Sequence, residues 1–271
     1  KYGTDFLETK IVDYFKEGKE FKYIDAASKA RWKMVTIGHA LDMRSGMGPV
    51  NYDKNWAMDN VNSYQWGYSY DLADQIRFYF NQKPNPEVNG PGKKFAYIDQ
   101  DMWAATLAME RFLKKKEGSK ATILNMLIEE VYKPIGVDYF VTGTGYTKSN
   151  EIGFPYSAWG ALLTLDYLAK TGKLIANMGM SDNGKSILKK DLIEDLFTSS
   201  EYQLSFWKNT FKKGNKEFLV TRMSGAGGNY IFNMPNGIVG IVLGYDSYNH
   251  TWSDKQKTTI FEAADKIKPF K

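Results

Sequence analysis

Residues 89–99, NGPGKKFAYID, are the stretch on which the reading of this chain turns. A Gly-Pro-Gly loop runs into Phe95 and Tyr97, two rings spaced by two, and an amphipathic helical run follows. Glycine and proline punctuate a chain, so the rings sit at the entrance to a new element. Tyr97 is then either a core tyrosine behind a turn or a phenol that moves protons. The local sequence leaves both open, and the second needs a nucleophile elsewhere.

Working outward, residues 102–113 place Met102, Ala105, Met109 and Phe112 at helical spacing. Further helices are expected over residues 121–132, stopping before Pro134, and over 157–169 and 189–197. On the other side, residues 71–80 read as a helix ended by Lys83-Pro84-Asn85-Pro86. Residues 51–70 form a long loop rich in Asn, Asp, Trp and Tyr. Residues 35–43 predict a helix entered through a threonine cap and stopped by Ser45-Gly46-Met47-Gly48-Pro49. Leu7, Ile11 and Phe15 suggest a short first helix. Near residue 216 the pattern changes to short β-rich runs at 217–223, 230–234 and 237–243, a three-stranded antiparallel meander. Ser253 then caps a closing helix that runs through Ile267.

The chain of 271 residues is 43% hydrophobic, enough for a large core in one domain or two closely joined ones. No apolar run approaches eighteen residues, so no membrane span is expected. Cysteine is absent, which excludes disulfides, thiolate metal sites and cysteine nucleophiles. The net charge of +5 is dispersed, with short clusters at Lys114–Lys116 and at 212–216 that read as solvated helix ends or loops. A nucleic-acid groove needs a longer basic stripe, so no nucleic-acid partner is expected. The two histidines, His39 and His250, are far apart and lack ligand spacing, and no phosphate-binding or dinucleotide fingerprint occurs. Nothing points to a cofactor or a metal. The glycines of Ser224-Gly225-Ala226-Gly227-Gly228 lie between two strands. There they serve either a bulged hairpin or the close approach of a substrate to the backbone, with an edge strand offering N–H groups to a developing oxyanion.

Five segments together resemble the serine β-lactamase-like and penicillin-binding-protein-like hydrolases, nearest to class C-like esterases and 6-aminohexanoate-dimer hydrolases. HALDMRSGM (39–47) is similar to their LLTHTSGL, and PGKKFAYID (91–99) to the segment supplying their catalytic tyrosine. EEVYKPIGV (129–137), YSAWGALLTLDYLAKTGKLI (156–175) and GAGGNYIFNMP (225–235) follow in family order. The resemblance implies an α+β, β-lactamase/transpeptidase-like fold: an antiparallel sheet flanked by helices, with a large helical subdomain. It implies one incomplete domain over 1–271, with a mostly helical part at about 36–190. Sheet strands and the C-terminal helix would follow at about 191–271.

The same resemblance makes Tyr97 the catalytic tyrosine and puts Gly225, Ala226, Gly227 and Gly228 along the substrate-binding strand. Asp99 stands where the family has Asn; an acid cannot donate the same hydrogen bonds, and its charge opposes a tyrosinate. Trp66, with Trp56, Tyr64 and Tyr68, is expected to wall an apolar acyl site. The family's Ser-x-x-Lys nucleophile and first strands lie a few tens of residues before the segment matching 4–15, so they are expected on a separate or missing N-terminal segment. Two Ser-x-x-Lys strings occur, Ser186 to Lys189 and Ser205 to Lys208, both where the family has no nucleophile. The implied function is hydrolysis of a small amide or ester through an acyl-serine, in a periplasmic or secreted protein. The alternative is an inactive homologue that serves as a binding or scaffold protein.

Overall fold

Capping residues decide where most helices of this chain begin. The computed structural model describes residues 2–3, 5–48, 71–138, 141–146, 152–155, 157–158, 160–162, 164–199, 201–225, 227–244 and 252–271. They form two compact units, one of Lys1–Asn125 with Thr142–Ala161, the other of Met126–Val141 with Leu162–Lys271.

In the first unit the Asp25 carboxylate accepts the Ser28 N–H (2.7 Å) and starts α1, Ala26–Trp32. Thr36 caps α2, Ile37–Leu41, and His39 completes a capping box by accepting the Thr36 N–H on Nδ1 at 3.2 Å. Asp71 caps α3, Leu72–Phe80. The long helix α4, Asp99–Glu117, carries Asp99 and Asp101 in its first turn and Lys114–Lys116 in its last, each sign favourable to the helix dipole. Its buried side holds Trp103, Ala104, Leu107 and Ala108. Trp32, Tyr79, Phe80 and Trp103 are fully buried, with Trp32 and Tyr79 centroids 4.7 Å apart. Outside this core, Arg111 grips Glu20 through two hydrogen bonds of 2.6 and 3.0 Å. That pairing and a hydrogen bond from the Lys16 N–H hold the Glu20 carboxyl below its ordinary range against the opposing effect of burial.

The first helix expected from Leu7, Ile11 and Phe15 is instead two 3-10 turns, Asp5–Glu8 and Ile11–Tyr14. The backbone there pairs non-locally: the Ile11 N–H donates to Val35 and the Ile37 N–H to Thr9, both at 3.0 Å. Helix α1 escapes a periodicity search because AASKARW offers one large apolar residue.

Between the two units the chain runs through α5, Ile123–Met126, a π-helical stretch Leu127–Tyr132 and a 3-10 turn Lys133–Ile135. Short strands follow: β1 Val141–Thr142, β2 Thr144–Tyr146, β3 Ile152–Pro155 and β4 Ala161–Leu162, of which β2 and β3 pair antiparallel. Helix α6, Leu165–Ala176, starts later than expected because Thr164 is its cap, accepting the Tyr167 N–H at 3.2 Å. Helix α7 is Lys190–Leu196.

The sheet of the second unit has four strands in sequence order: β5 Trp207–Lys213, β6 Lys216–Gly225, β7 Asn229–Asn233 and β8 Val239–Val242. The unforeseen strand is β5, whose sequence WKNTFKK buries only Phe211 and carries little apolar alternation. On one face Phe211, Val220, Tyr230, Phe232 and Met234 pack against Phe261 and Ala264 of α8, Asp254–Ile267, and against Phe270. Ser253 caps α8 with Gln256 as its capping-box partner. The other face receives α6, and the Asn233 Nδ2 donates to the Gly172 carbonyl at 2.7 Å.

Gly172 lets α6 approach that closely. A methyl group there would lie 2.5 Å from Val239 Cγ1 and 2.8 Å from Ile231 Cγ2. Gly172→Ala is expected to lower the unfolding free energy by about 1–3 kcal/mol through overpacking. Urea unfolding reads this as a lower midpoint at unchanged slope, and an unmoved midpoint would contradict the close packing.

Candidate active site

Two quoted segments, residues 39–47 and 89–99, are bound to each other main chain to main chain. The Gly92 N–H donates to the Arg44 carbonyl at 2.7 Å and the Ala96 N–H to the Met43 carbonyl at 2.9 Å. The Asn85 N–H donates to Gly46 and the Gly48 N–H to Lys83, both at 3.0 Å. Glycine is required at two of these positions. Gly46 has φ +71°, and a methyl on it would meet Arg31 Nη1 at 3.0 Å and the Gly90 carbonyl oxygen at 3.1 Å. Gly92 has φ +77°, and a methyl there would reach His39 Nε2 at 2.8 Å. His39 is thus a packing and capping residue, and burial holds its imidazole below the ordinary range.

This pairing delivers Tyr97, half-buried, to the entrance of α4. Its hydroxyl hydrogen-bonds the Asp99 carboxyl, which burial pushes up and this bond pulls back. Two residues further along α4, Asp101 is fully buried. The Tyr79 hydroxyl donates to its Oδ1 at 3.0 Å, the buried Ser45 also favours the charged carboxyl, and Oδ2 has no close hydrogen-bond partner. Burial outweighs these bonds and lifts the Asp101 carboxyl to about 7. Burial and Asp101 together push the Tyr79 phenol well up. Asp101, Ser45 and Tyr79 were not singled out from sequence. The available signal was an acid on the apolar side of an amphipathic helix.

The glycine candidates lie in the second unit. Gly225 pairs with Asn229 to close the β6–β7 hairpin, and Gly227 and Gly228 take left-handed φ values of 77° and 79°. A methyl on Gly244 would overlap the Gly227 carbonyl, so backbone meets backbone there. These glycines thus form a hairpin turn, and β6 is not an edge strand, since β5 flanks it. The β5 register ends at the Trp207–Arg222 pair, however, so Met223, Ser224 and Gly225 extend past the last in-register residue of β5. Ala226, Trp66 and the aromatic loop at 51–70 lie outside the described residues.

Neither Ser-x-x-Lys string is helical. Ser186 pairs with Met180 as an isolated bridge, and Lys189 is the residue before α7. Ser205 sits in a two-residue turn with Leu204, both at positive φ (73° and 45°). Lys208 is on β5 and donates its amine to the Leu196 carbonyl, while burial lowers the amine to about 8. Among the described residues no three His, Asp or Glu side chains are grouped to hold a metal, and no helix is long and apolar enough to cross a membrane.

One unit is an antiparallel sheet with a helix on each face, and the other, mostly helical, presents a tyrosine from a pair of bound loops; these features define a class. The chain has the serine β-lactamase/penicillin-binding-protein-like fold. A putative 6-aminohexanoate-dimer hydrolase from Bacillus anthracis superposes on 96% of it with a TM-score of 0.65 at 17% identity. A putative β-lactamase from Bacteroides dorei covers 96% at TM-score 0.59 and 15% identity, and a family VIII carboxylesterase covers 97% at 0.56 and 15%. The chain spans 66% of the Bacillus anthracis protein and 55% of an octameric penicillin-binding protein homologue from Pyrococcus abyssi. No protein-family profile and no curated protein sequence matches the chain.

The elevated Asp101 carboxyl has a consequence for stability. A folded-state value near 7 means the folded protein binds more protons than the unfolded chain between about pH 4 and 7. Stability from this group is therefore present at the acid end and declines as pH rises toward 7, by about 4 kcal/mol at most. Asp101→Asn is expected to flatten that part of the stability–pH curve. Urea midpoints measured from pH 4.5 to 7.5 check it, and an unchanged slope would contradict an Asp101 titration in this window.

Proposed function

We propose that this chain is the larger part of a serine hydrolase that cleaves a small-molecule amide or ester bond through an acyl-serine. Tyr97 acts as general base, and the nucleophile comes from a Ser-x-x-Lys segment outside these 271 residues. The observation that carries the reading is the backbone pairing of 39–47 with 89–99, which holds Tyr97 half-buried at the head of α4. The Bacillus anthracis and Bacteroides dorei neighbours, named as a hydrolase and a β-lactamase, support it. Neither internal Ser-x-x-Lys string lies on a helix, the element on which residues three apart share a face, and this favours an outside nucleophile. A periplasmic or secreted location is part of the same proposal.

In the first step the serine oxygen attacks the carbonyl carbon while its proton passes to the Tyr97 phenolate. The oxyanion that forms needs fixed backbone N–H donors. Expulsion of the amine or alcohol takes up the proton, and water then releases the acid by the same steps reversed. Asp99 governs the base. An ionised Asp99 accepts from Tyr97 and holds the proton on the phenol, whereas a protonated Asp99, favoured by burial, donates to the phenolate as an amide does.

The second reading, a non-catalytic binding or scaffold protein, is favoured by that same Tyr97–Asp99 hydrogen bond. The two are separated with a fluorophosphonate probe and a p-nitrophenyl ester, on protein that includes the residues encoded upstream of Lys1. Under the enzyme reading a serine of the upstream segment is labelled, and Tyr97→Phe lowers hydrolysis by about 10²–10⁴-fold. Asp99→Asn is expected to raise hydrolysis at neutral pH by restoring a permanent donor. Absence of labelling and of hydrolysis in that complete protein would establish the scaffold reading.

A further inference from the structure

Arg222 is the last residue of β6 in register with β5, opposite Trp207, and it shares the α8 face of the sheet with Val220 and Phe232. Its guanidinium carbon lies 5.6 Å from the Trp207 ring centroid and 5.1 Å from that of Tyr230. Tyr230 is itself anchored, since its hydroxyl accepts the Trp252 N–H at 3.4 Å and the two rings meet edge to face at 6.4 Å. Arg222 is only 9% exposed, and its Nε is buried without a hydrogen-bond partner. Among the described residues no carboxylate forms an ion pair with it. Asp254 acts on it through space, while pairing directly with Lys257 at 3.1 Å.

A guanidinium taken this far out of water loses hydration that has to be replaced. The two rings return some attraction through their faces but accept none of its in-plane N–H bonds. Buried charged donors without acceptors are rare in folded proteins, because leaving them unpaired costs more than making the bond gains. Here the two rings flank the guanidinium carbon, and its Nε–H is left without an acceptor. The fork of donors matches two coplanar oxygens carrying a negative charge.

We propose that Arg222, held between Trp207 and Tyr230, is a binding site for a small carboxylate anion. The site does not depend on the hydrolase reading, since it uses none of the residues assigned to that chemistry. The nearby Asp254 charge opposes the anion, so the affinity is modest, with a dissociation constant on the order of 1–10 mM.

The test is a titration of the full, isotope-labelled chain with sodium acetate against sodium chloride at matched ionic strength. The Trp207 indole N–H resonance, assigned from Trp207→Phe, is the readout. Acetate is expected to shift it saturably, and chloride is not. Arg222→Met should abolish the response, and Arg222→Lys, which keeps the charge without the fork, should weaken binding by about tenfold. Far-UV circular dichroism reports folding, and if the Met variant fails to fold the Lys variant carries the comparison. No saturable shift in the parent, an equal response to chloride, or parent-like affinity in either folded variant would overturn the proposal.

Discussion

Backbone hydrogen bonds between residues 43–48 and 83–96 are the constraint on which the presentation of Tyr97 depends. Neither segment is a regular strand, so each N–H and C=O there needs an individual partner, and the two segments supply one another. The pairing is close enough to forbid a Cβ at Gly46 and Gly92. It also sets Ser45 beneath α4, where it meets Asp101. A loop that would otherwise move is thereby fixed to the first turn of a 19-residue helix. A general base has to keep hydrogen-bond reach of the proton it takes, and this is how a tyrosine on a loop can do so.

The second unit solves a different problem, that of covering both faces of one small sheet. Its two helices do so by different means. Helix α8 brings apolar bulk, Phe261 and Ala264, to Phe211, Val220 and Phe232. Helix α6 instead approaches through Gly172 and spends a buried amide, Asn233, on the helix carbonyl. A polar contact at such a place is tolerated only because the bond is made. The same sheet carries, at the end of β5, a guanidinium whose bond is not made within the described chain, which is why Arg222 stands apart from Asn233.

Legibility followed the locality of the physics. The caps at Thr36 and Ser253 were readable because a cap and its helix are neighbours in sequence. The late start of α6 and the missed α1 show the limit: a cap at Thr164 and a helix with one large apolar residue leave weak periodicity. Strand β5 was missed because an exposed outer strand with one buried side chain carries almost no alternation. At the site, Tyr97, Asp99 and the glycine run stood out by motif. Asp101 did not, because a buried acid resembles a solvated one until its surroundings are known.

By itself the sequence determined a helical stretch followed by a sheet and a closing helix, most helix starts, the absence of thiol chemistry and the five motif segments that resemble one hydrolase family. These are local or compositional properties, set by side-chain spacing and by the backbone freedom of glycine and proline. Only the tertiary structure decided that β6 has a strand on each side, that Ser205 and Lys208 are not on one helical face, and that His39 is a cap. It alone turned Asp99 into the hydrogen-bond partner of Tyr97 and Asp101 into a buried acid. The β5–β6 pairing and the burial of Asp101 against Tyr79 rest on desolvation and on partners distant in the chain, and neither leaves a mark on the residues nearby in sequence.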